Sequence, residues 1–369
     1  MIGEEYFSAR REECTPADIP NIPNEPAVFL VWAEEGKPYL ARTGVLRRRL
    51  MRLFGTSGRP SRLLNLTGVA RRIEYWRCGS RLETGILFYS LARRHFPDNY
   101  LKMVKLNMPA FVKLTLGNRF PRTLVTTRLA GRGLFYGPFR TRAAAEAFDS
   151  QALDLFQVRR CEENLEPHPG HPGCMYGEMN MCLRPCQAAV SDEEYASEVA
   201  RLEHFFTTAG MSLVEAAAHA RDRASEELNF EEAARQHKRL ERVESVRALR
   251  DELVCDVDHL SGVAVAAASS PETVTLWFML GGKWADPVDF PLAAPGSQIV
   301  SLDHRLREIV AGLKEPRVAA QDRQEHVALL ARWFYSSWRD GEWLAFESLA
   351  KVPYRRAVNS VARVGKAAR

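Results

Sequence analysis

The chain has 369 residues, 46% hydrophobic and 26% charged, proportions of an ordinary globular protein of roughly two domains that exclude wholesale disorder and collagen-like repeats. No run approaches the ~18 apolar residues of a membrane span, and the opening MIGEEYFSARREE lacks a signal-peptide core, so a soluble cytoplasmic protein with no membrane partner is expected. Net charge is only +5, and seven cysteines, an odd number in a chain this long, exclude a disulfide framework.

Residues 25–105 read as a strand (Ala27–Trp32), a short second strand (Pro38–Arg42), a helix (Val45–Phe54) and a helix from Glu83 to His95 that stops before Pro97. From Arg42 to Lys105 there are 15 Lys and Arg against three acids, Glu74, Glu83 and Asp98. Arginines mixed with Phe54, Tyr75, Trp76, Phe88, Tyr89 and Phe96 suit phosphate contacts beside stacking surfaces, so DNA is the favoured partner over a merely solvated basic face.

Residues 106–160 hold two strand-like runs (Phe111–Leu116, Thr123–Thr127), a turn at Gly131–Gly133 and a helix over Arg142–Leu155. Residues 161–190 form a Cys/Pro/Gly loop. Cys161, Cys174, Cys182 and Cys186 are separated by 12, 7 and 3 residues. Four soft thiolates on a loop stiffened by prolines can close around Zn²⁺ or an iron–sulfur cluster. The spacing departs from the paired CxxC knuckles of zinc ribbons, which favours the cluster. His168 and His171 read as polar loop residues, and Cys14, Cys78 and Cys255 as unrelated.

Residues 191–250 turn acidic, with 13 Asp and Glu against nine Lys and Arg, and carry no proline. Helices broken near Gly210 and Asn229 are expected. In the last of them Phe230, Ala233, Ala234, Leu240, Val243 and Val246 form one stripe, with Asn229 as N-cap and Glu231-Glu232 in the first turn. Such a narrow stripe serves internal packing or a docked partner, and periodicity alone favours the first. Beyond residue 250, alternation at Val263, Val265, Val274, Leu276, Phe278 and Leu280 marks strands with a hairpin turn at Gly281-Gly282. Helices follow at Asp303–Leu313 and Asp322–Trp338, then a basic tail with Lys351, Arg355, Arg356, Arg363, Lys366 and Arg369.

Three motifs in order resemble the N-terminal half of the UvrC family, the incision subunit of bacterial nucleotide excision repair. Pro26-Ala27-Val28-Phe29, Tyr39-Leu40-Ala41-Arg42 and Leu46-Arg47-Arg48-Arg49 resemble a GIY-YIG nuclease signature. Arg160-Cys161 and Cys182-Leu183-Arg184-Pro185-Cys186 resemble the family's cluster loop, and Leu228-Asn229-Phe230-Glu231-Glu232-Ala233-Ala234 is similar to the UVR motif. The resemblance implies an α/β fold: a small GIY-YIG-like mixed sheet with flanking helices (25–105), a connecting region (106–160), a Cys-rich loop (161–190), a helical region with the UVR hairpin (191–250) and a small α+β C-terminal domain (251–369). It also implies a [4Fe-4S] cluster on Cys161, Cys174, Cys182 and Cys186, with Zn as the alternative. A UvrB-like helicase subunit would bind through Phe230, Ala233, Ala234 and Leu240, and Arg42, Arg47, Arg48 and Arg52 would face DNA. Only 119 residues follow Arg250, too few for the family's RNase H-like and helix-hairpin-helix domains, which are expected to be missing.

The nuclease chemistry implied by the resemblance is incomplete. A first-motif tyrosine helps activate water, a helix-borne glutamate holds Mg²⁺ or Mn²⁺, and a second tyrosine, an arginine and a lysine orient the phosphate. Tyr39 and Arg49 match, Arg42 replaces the lysine, and Ala41 replaces a glycine. Phe29 stands at the first tyrosine and Phe88 at the glutamate. A phenyl ring offers neither a proton nor an oxygen ligand for a hard cation. Glu83 precedes Phe88 by five residues, about 140° around a helix, and is expected to point away. DNA and partner binding with weak or lost cleavage is therefore the leading expectation, ahead of a working single-incision endonuclease and of a regulatory adaptor that occupies the partner without DNA.

Overall fold

In a computed structural model of the chain, which describes residues 2–55, 66–293 and 300–367, the near-continuous apolar run Ala27–Ala33 is a strand buried between two neighbours, as a run without alternation requires. Strands β1 (Glu12–Cys14), β2 (Ala27–Ala33), β3 (Tyr39–Thr43) and β4 (Ala70–Arg77) form an antiparallel sheet in the order β1-β4-β2-β3. Sequence analysis omits β4, although it is an interior strand. Arg71 and Arg72 interrupt its alternation, and Glu74, 4% exposed, is buried with Arg72 2.7 Å from its carboxylate.

Helix α1 (Glu4–Ala9) precedes the sheet, and α2 (Leu46–Phe54) follows β3. Leu46, Leu50 and Leu53 put one stripe of α2 into a core with Phe29, Ile73 and Tyr75, leaving Arg47, Arg48 and Arg52 exposed. Helix α3 (Arg81–His95) starts at Ser80, whose hydroxyl accepts the Glu83 amide at 3.1 Å, and ends in Arg93, Arg94 and His95. A short helix, α4 (Tyr100–Val104), closes this segment.

Strands β5 (Ala110–Leu114), β6 (Thr123–Thr126), β7 (Leu134–Phe139) and β8 (Cys255–Asp256) make a second antiparallel sheet, ordered β6-β5-β7-β8. Gly137-Pro138 hides β7 from sequence analysis. At Gly137 (φ +154°) an added Cβ would meet the Phe111 ring at 2.7 Å, so the glycine permits close approach to β5. Tyr136 of β7 stacks on Phe148 of α5 (Arg142–Leu153) at 5.2 Å and on Phe206 at 5.0 Å. In the Cys loop only α6 (Met175–Glu178) and a 3₁₀ turn are regular. Phe206 lies on α7 (Asp192–Thr207), which opens with a capping box between Ser191 and Glu194. Helices α8 (Met211–Glu226) and α9 (Phe230–Arg247) complete the hairpin, broken where Gly210 and Asn229 predict.

A third antiparallel sheet uses β9 (Gly262–Ala267), β10 (Thr273–Leu280), β11 (Lys283–Trp284), β12 (Val288–Pro291) and β13 (Glu342–Ala345), with the expected turn at Gly281-Gly282. Helices α10 (Leu302–Gly312) and α12 (Tyr354–Ala367) share its apolar core, and α11 (Ala320–Phe334) lies between them in sequence. The expected basic tail is corrected: it is the helix α12, with Ala357 and Val361 buried and Arg363 paired to Glu342 at 2.6 Å. Arg369 lies outside the described residues. Residues 1–107, 261–317 and 332–369 form one compact unit, and 108–260 with 318–331 the other. Among the described residues no helix is long and apolar enough to cross a membrane.

Candidate functional site

The register of β2 and β3 sets Phe29 opposite Ala41 and Val31 opposite Tyr39. Side chains alternate along a strand, so Phe29, Tyr39 and Ala41 share the face that packs with α2. Arg49, reaching from α2, donates to the Tyr39 hydroxyl at 3.5 Å, and the Tyr39 and Phe29 rings are 6.2 Å apart. Arg42, three residues after Tyr39, lies on the other face, its guanidinium 5.3 Å over the Phe88 ring of α3. The aligned positions thus form two pairs, Tyr39 with Arg49 and Arg42 with Phe88. Phe29 is wholly buried and Phe88 is 8% exposed. Among the described residues, no three His, Cys, Asp or Glu side chains are grouped to hold a metal ion.

Glu83 turns away, as its helical offset predicts. It is 1% exposed, accepts the Gly79 amide at 2.7 Å and Arg10 Nη1 at 2.7 Å, and lies 3.5 Å from the Tyr6 hydroxyl. Arg10 also bonds Tyr6 and Ser269. Burial pushes the Glu83 carboxyl up to about 7, with Arg10 and the Gly79 amide opposing, Asp289 adding to the rise and Tyr6 opposing. The raised value means that the folded state holds this proton more tightly than the unfolded chain. Its stabilising contribution is complete below the ordinary value of 4.5 and is lost as pH rises through about 7. Urea midpoints are therefore expected to fall between pH 5 and pH 8, and Glu83→Gln is expected to flatten that slope.

In the second unit, Arg159 pins the Cys loop to the sheet region. Its side chain is 1% exposed, donates to the Phe120 carbonyl at 2.9 Å and the Glu163 carbonyl at 2.7 Å, and reaches Cys161 Sγ at 3.7 Å. Sequence analysis singles out Arg160 instead; it is Arg159 that reaches Cys161 Sγ, and the pair Arg159-Arg160 gives no local sign of which one does so. Cys182 and Cys186 are buried, Cys161 and Cys174 half-buried. The Arg184 amide donates to Cys182 Sγ at 3.4 Å. Burial pushes the Cys182 thiol up to about 11, and nearby Cys161, Cys174 and Cys186 add to the rise. Cys161, Cys174 and Cys186 thus each lie within electrostatic reach of Cys182, although the four side chains are not drawn into a closed cage. The soft donor set and the N–H donors to sulfur fit a thiolate-bound metal group. His168 and His171 each use Nδ1 to accept a turn amide at 3.0 Å, from Gly170 and Gly173, in keeping with their reading as loop residues.

The hairpin divides along its length. Leu213, Val243 and Val246 at its base join the core of the second unit. At the tip Leu228 is 72% and Phe230 68% exposed, Ala234 is exposed, and Ala233 and Leu240 are half-buried. Asn229 caps α9 by accepting the Glu232 amide at 3.2 Å, and Leu228 occupies the left-handed region at φ 57°. The stripe read as one face therefore packs internally at one end only. Asp256, at the start of the last block, is 5% exposed and accepts from the Asp258 amide and from His259 Nδ1 at 2.9 Å, while Asp258 pairs with Arg323 at 2.7 Å. Asp256 thus acts as a turn former.

Residues 110–205 match the model of the UvrC/Cho excinuclease middle domain. The UvrABC system protein C of Lachnospira eligens is 26% identical over 271 residues, 72% of this chain and 44% of the relative. That of Caldanaerobacter subterraneus subsp. tengcongensis is 26% identical over 267 residues, 71% of this chain and 43% of the relative. That of Moorella thermoacetica is 24% identical over 327 residues, 85% and 52% of the two chains. The chain thus spans about half the length, or less, of these curated relatives. No solved structure matches. Over 72% of its length the chain is thus similar to UvrC-family proteins, and residues 110–205 match the family's middle domain.

Proposed function

We propose that this chain serves nucleotide excision repair as a protein that binds DNA and a UvrB-like helicase subunit without an effective nuclease of its own. The observation that carries the reading is at Phe88: where the family resemblance calls for a metal-binding carboxylate, an aromatic ring lies under Arg42. The acid nearest along α3, Glu83, is buried against Arg10. Without an oxygen ligand there is no seat for the divalent ion that would polarise the phosphodiester, and Phe29 has no hydroxyl to pass a proton. Tyr39 and Arg49 retain polar groups that can bind a phosphate but not cut it.

The DNA-binding reading is supported by the exposed row Arg47, Arg48 and Arg52 on α2. Affinity that rests on phosphate neutralisation falls linearly in log–log form with salt, by about 0.9 per contact. In a fluorescence titration against salt, R47A/R48A/R52A is expected to make the slope shallower by roughly 2–3. An unchanged slope would place the DNA surface elsewhere.

Cys161, Cys174, Cys182 and Cys186 would hold an iron–sulfur cluster, with Zn²⁺ as the alternative. Bound there, the group supplies metal–thiolate bonds that cross-link the loop. The protein's part is to hold the loop through Arg159 and to donate N–H groups to sulfur from Arg159 and Arg184. Anaerobic purification with iron, sulfide and zinc assays and an absorption spectrum decides between the two groups.

A further inference from the structure

Within the unit formed by residues 1–107, 261–317 and 332–369, a cavity of about 590 Å³ opens beside the end of β3 and the start of α3. Arg42, Ser80, Arg81, Arg332, Trp338 and Asp340 are among the residues that line it. Neither Arg42 nor Arg332 pairs with a carboxylate among the described residues. Arg332 gives one N–H to the Val104 carbonyl at 2.6 Å, and Arg42 rests over Phe88. Burial, and then the charge of Arg42, push the Arg332 pKa down, so the two guanidiniums that line this cavity lie within electrostatic reach of each other. Among the described lining residues the one carboxylate, Asp340, is already engaged. It accepts the Arg81 amide at 2.6 Å and the Trp333 indole N–H at 3.1 Å.

An unneutralised pair of guanidiniums calls for an anion, and the planar guanidinium fork matches phosphate as well as carboxylate oxygens. The cavity is far larger than a phosphate and falls in the range of small-ligand sites, roughly 300–1,000 Å³. Trp338, 36% exposed with the Arg81 guanidinium 5.5 Å from its ring, offers an aromatic surface of the kind on which nucleobases stack.

We infer that this cavity binds a single phosphorylated nucleotide, its phosphate between Arg42 and Arg332 and its base against Trp338. The inference rests on the DNA-binding reading above and narrows it to one nucleotide unit, carried at the end of a strand or free in solution.

The test titrates the full chain with dAMP, inorganic phosphate and a short single strand with and without a 5′-phosphate, by calorimetry and tryptophan fluorescence. dAMP is expected to bind more tightly than inorganic phosphate, and Trp338→Ala to remove that advantage. Arg332→Ala is expected to weaken dAMP binding at least tenfold. Asp340→Asn, which keeps an acceptor for the Arg81 amide and removes a negative charge, is expected to strengthen it severalfold. Opposite signs from two variants cannot come from general loss of folding. A 5′-phosphate that tightens the oligonucleotide identifies a strand end as the occupant; dAMP binding without that effect supports the pocket with a free nucleotide. Absence of dAMP binding, or equal losses in Arg332→Ala and Asp340→Asn, overturns the inference. Strand binding that depends on salt but not on these variants would leave the DNA reading intact and remove only the pocket.

Discussion

Phe230→Ala is expected to weaken binding of the UvrB-like partner by roughly 2–4 kcal/mol, on the order of 30- to 1,000-fold, while leaving folding stability within about 0.5 kcal/mol. The asymmetry follows from exposure. A ring that is 68% exposed contributes little to its own fold, yet with Leu228 it forms an apolar tip that the protein does not cover. The tip also carries a conformational cost, since Leu228 holds φ at 57°, worth roughly 1–2 kcal/mol for a residue with a side chain. Leu228→Gly relieves that cost and removes the side chain from the tip. It is therefore expected to raise the urea midpoint and lower partner affinity together. Calorimetry against the partner and urea unfolding of the same preparations check both signs, and partner affinity unchanged in both variants would remove the hairpin tip from the interface.

Arg159→Met is expected to cost roughly 3–5 kcal/mol in the stability of the unit containing residues 108–260. Methionine fills part of the volume but donates nothing, so the Phe120 and Glu163 carbonyls lose their partner inside the protein. The same change removes a donor from Cys161 Sγ and frees the loop that carries it. Purified Arg159→Met protein is therefore expected to contain less metal per chain than the parent, read by iron, sulfide and zinc assays. Full metal content with unchanged stability would show that Arg159 neither anchors the loop nor supports its thiols.

What sequence analysis could see was local. The apolar run of β2, the cap at Asn229 and the helix read over Val45–Phe54 each carry their signal within a few residues, and each element is found close to where that signal places it. The arginine-rich β4 and the Gly-Pro strand β7 are missed because neighbours across the sheet, rather than their own alternation, hold them. Helix α12 shows a readable stripe at Ala357, Val358, Val361 and Val364, obscured by its basic residues. The destination of Glu83 was legible only as a direction around a helix. Its partner Arg10 is 73 residues away and the contributing Asp289 farther still. Arg332, Trp338 and Asp340 join the first sheet only through the fold, so no motif announces the cavity they line.

Two aromatic residues at positions where the chemistry needs a hydroxyl and a carboxylate are the centre of this account. The most direct measurement incubates the purified protein and its UvrB-like partner with a lesion-bearing duplex in Mg²⁺ or Mn²⁺ and resolves the strands. The account predicts salt-sensitive binding with no partner-dependent incision above background. Incision that requires the partner and disappears in Tyr39→Phe or Arg49→Ala would contradict it.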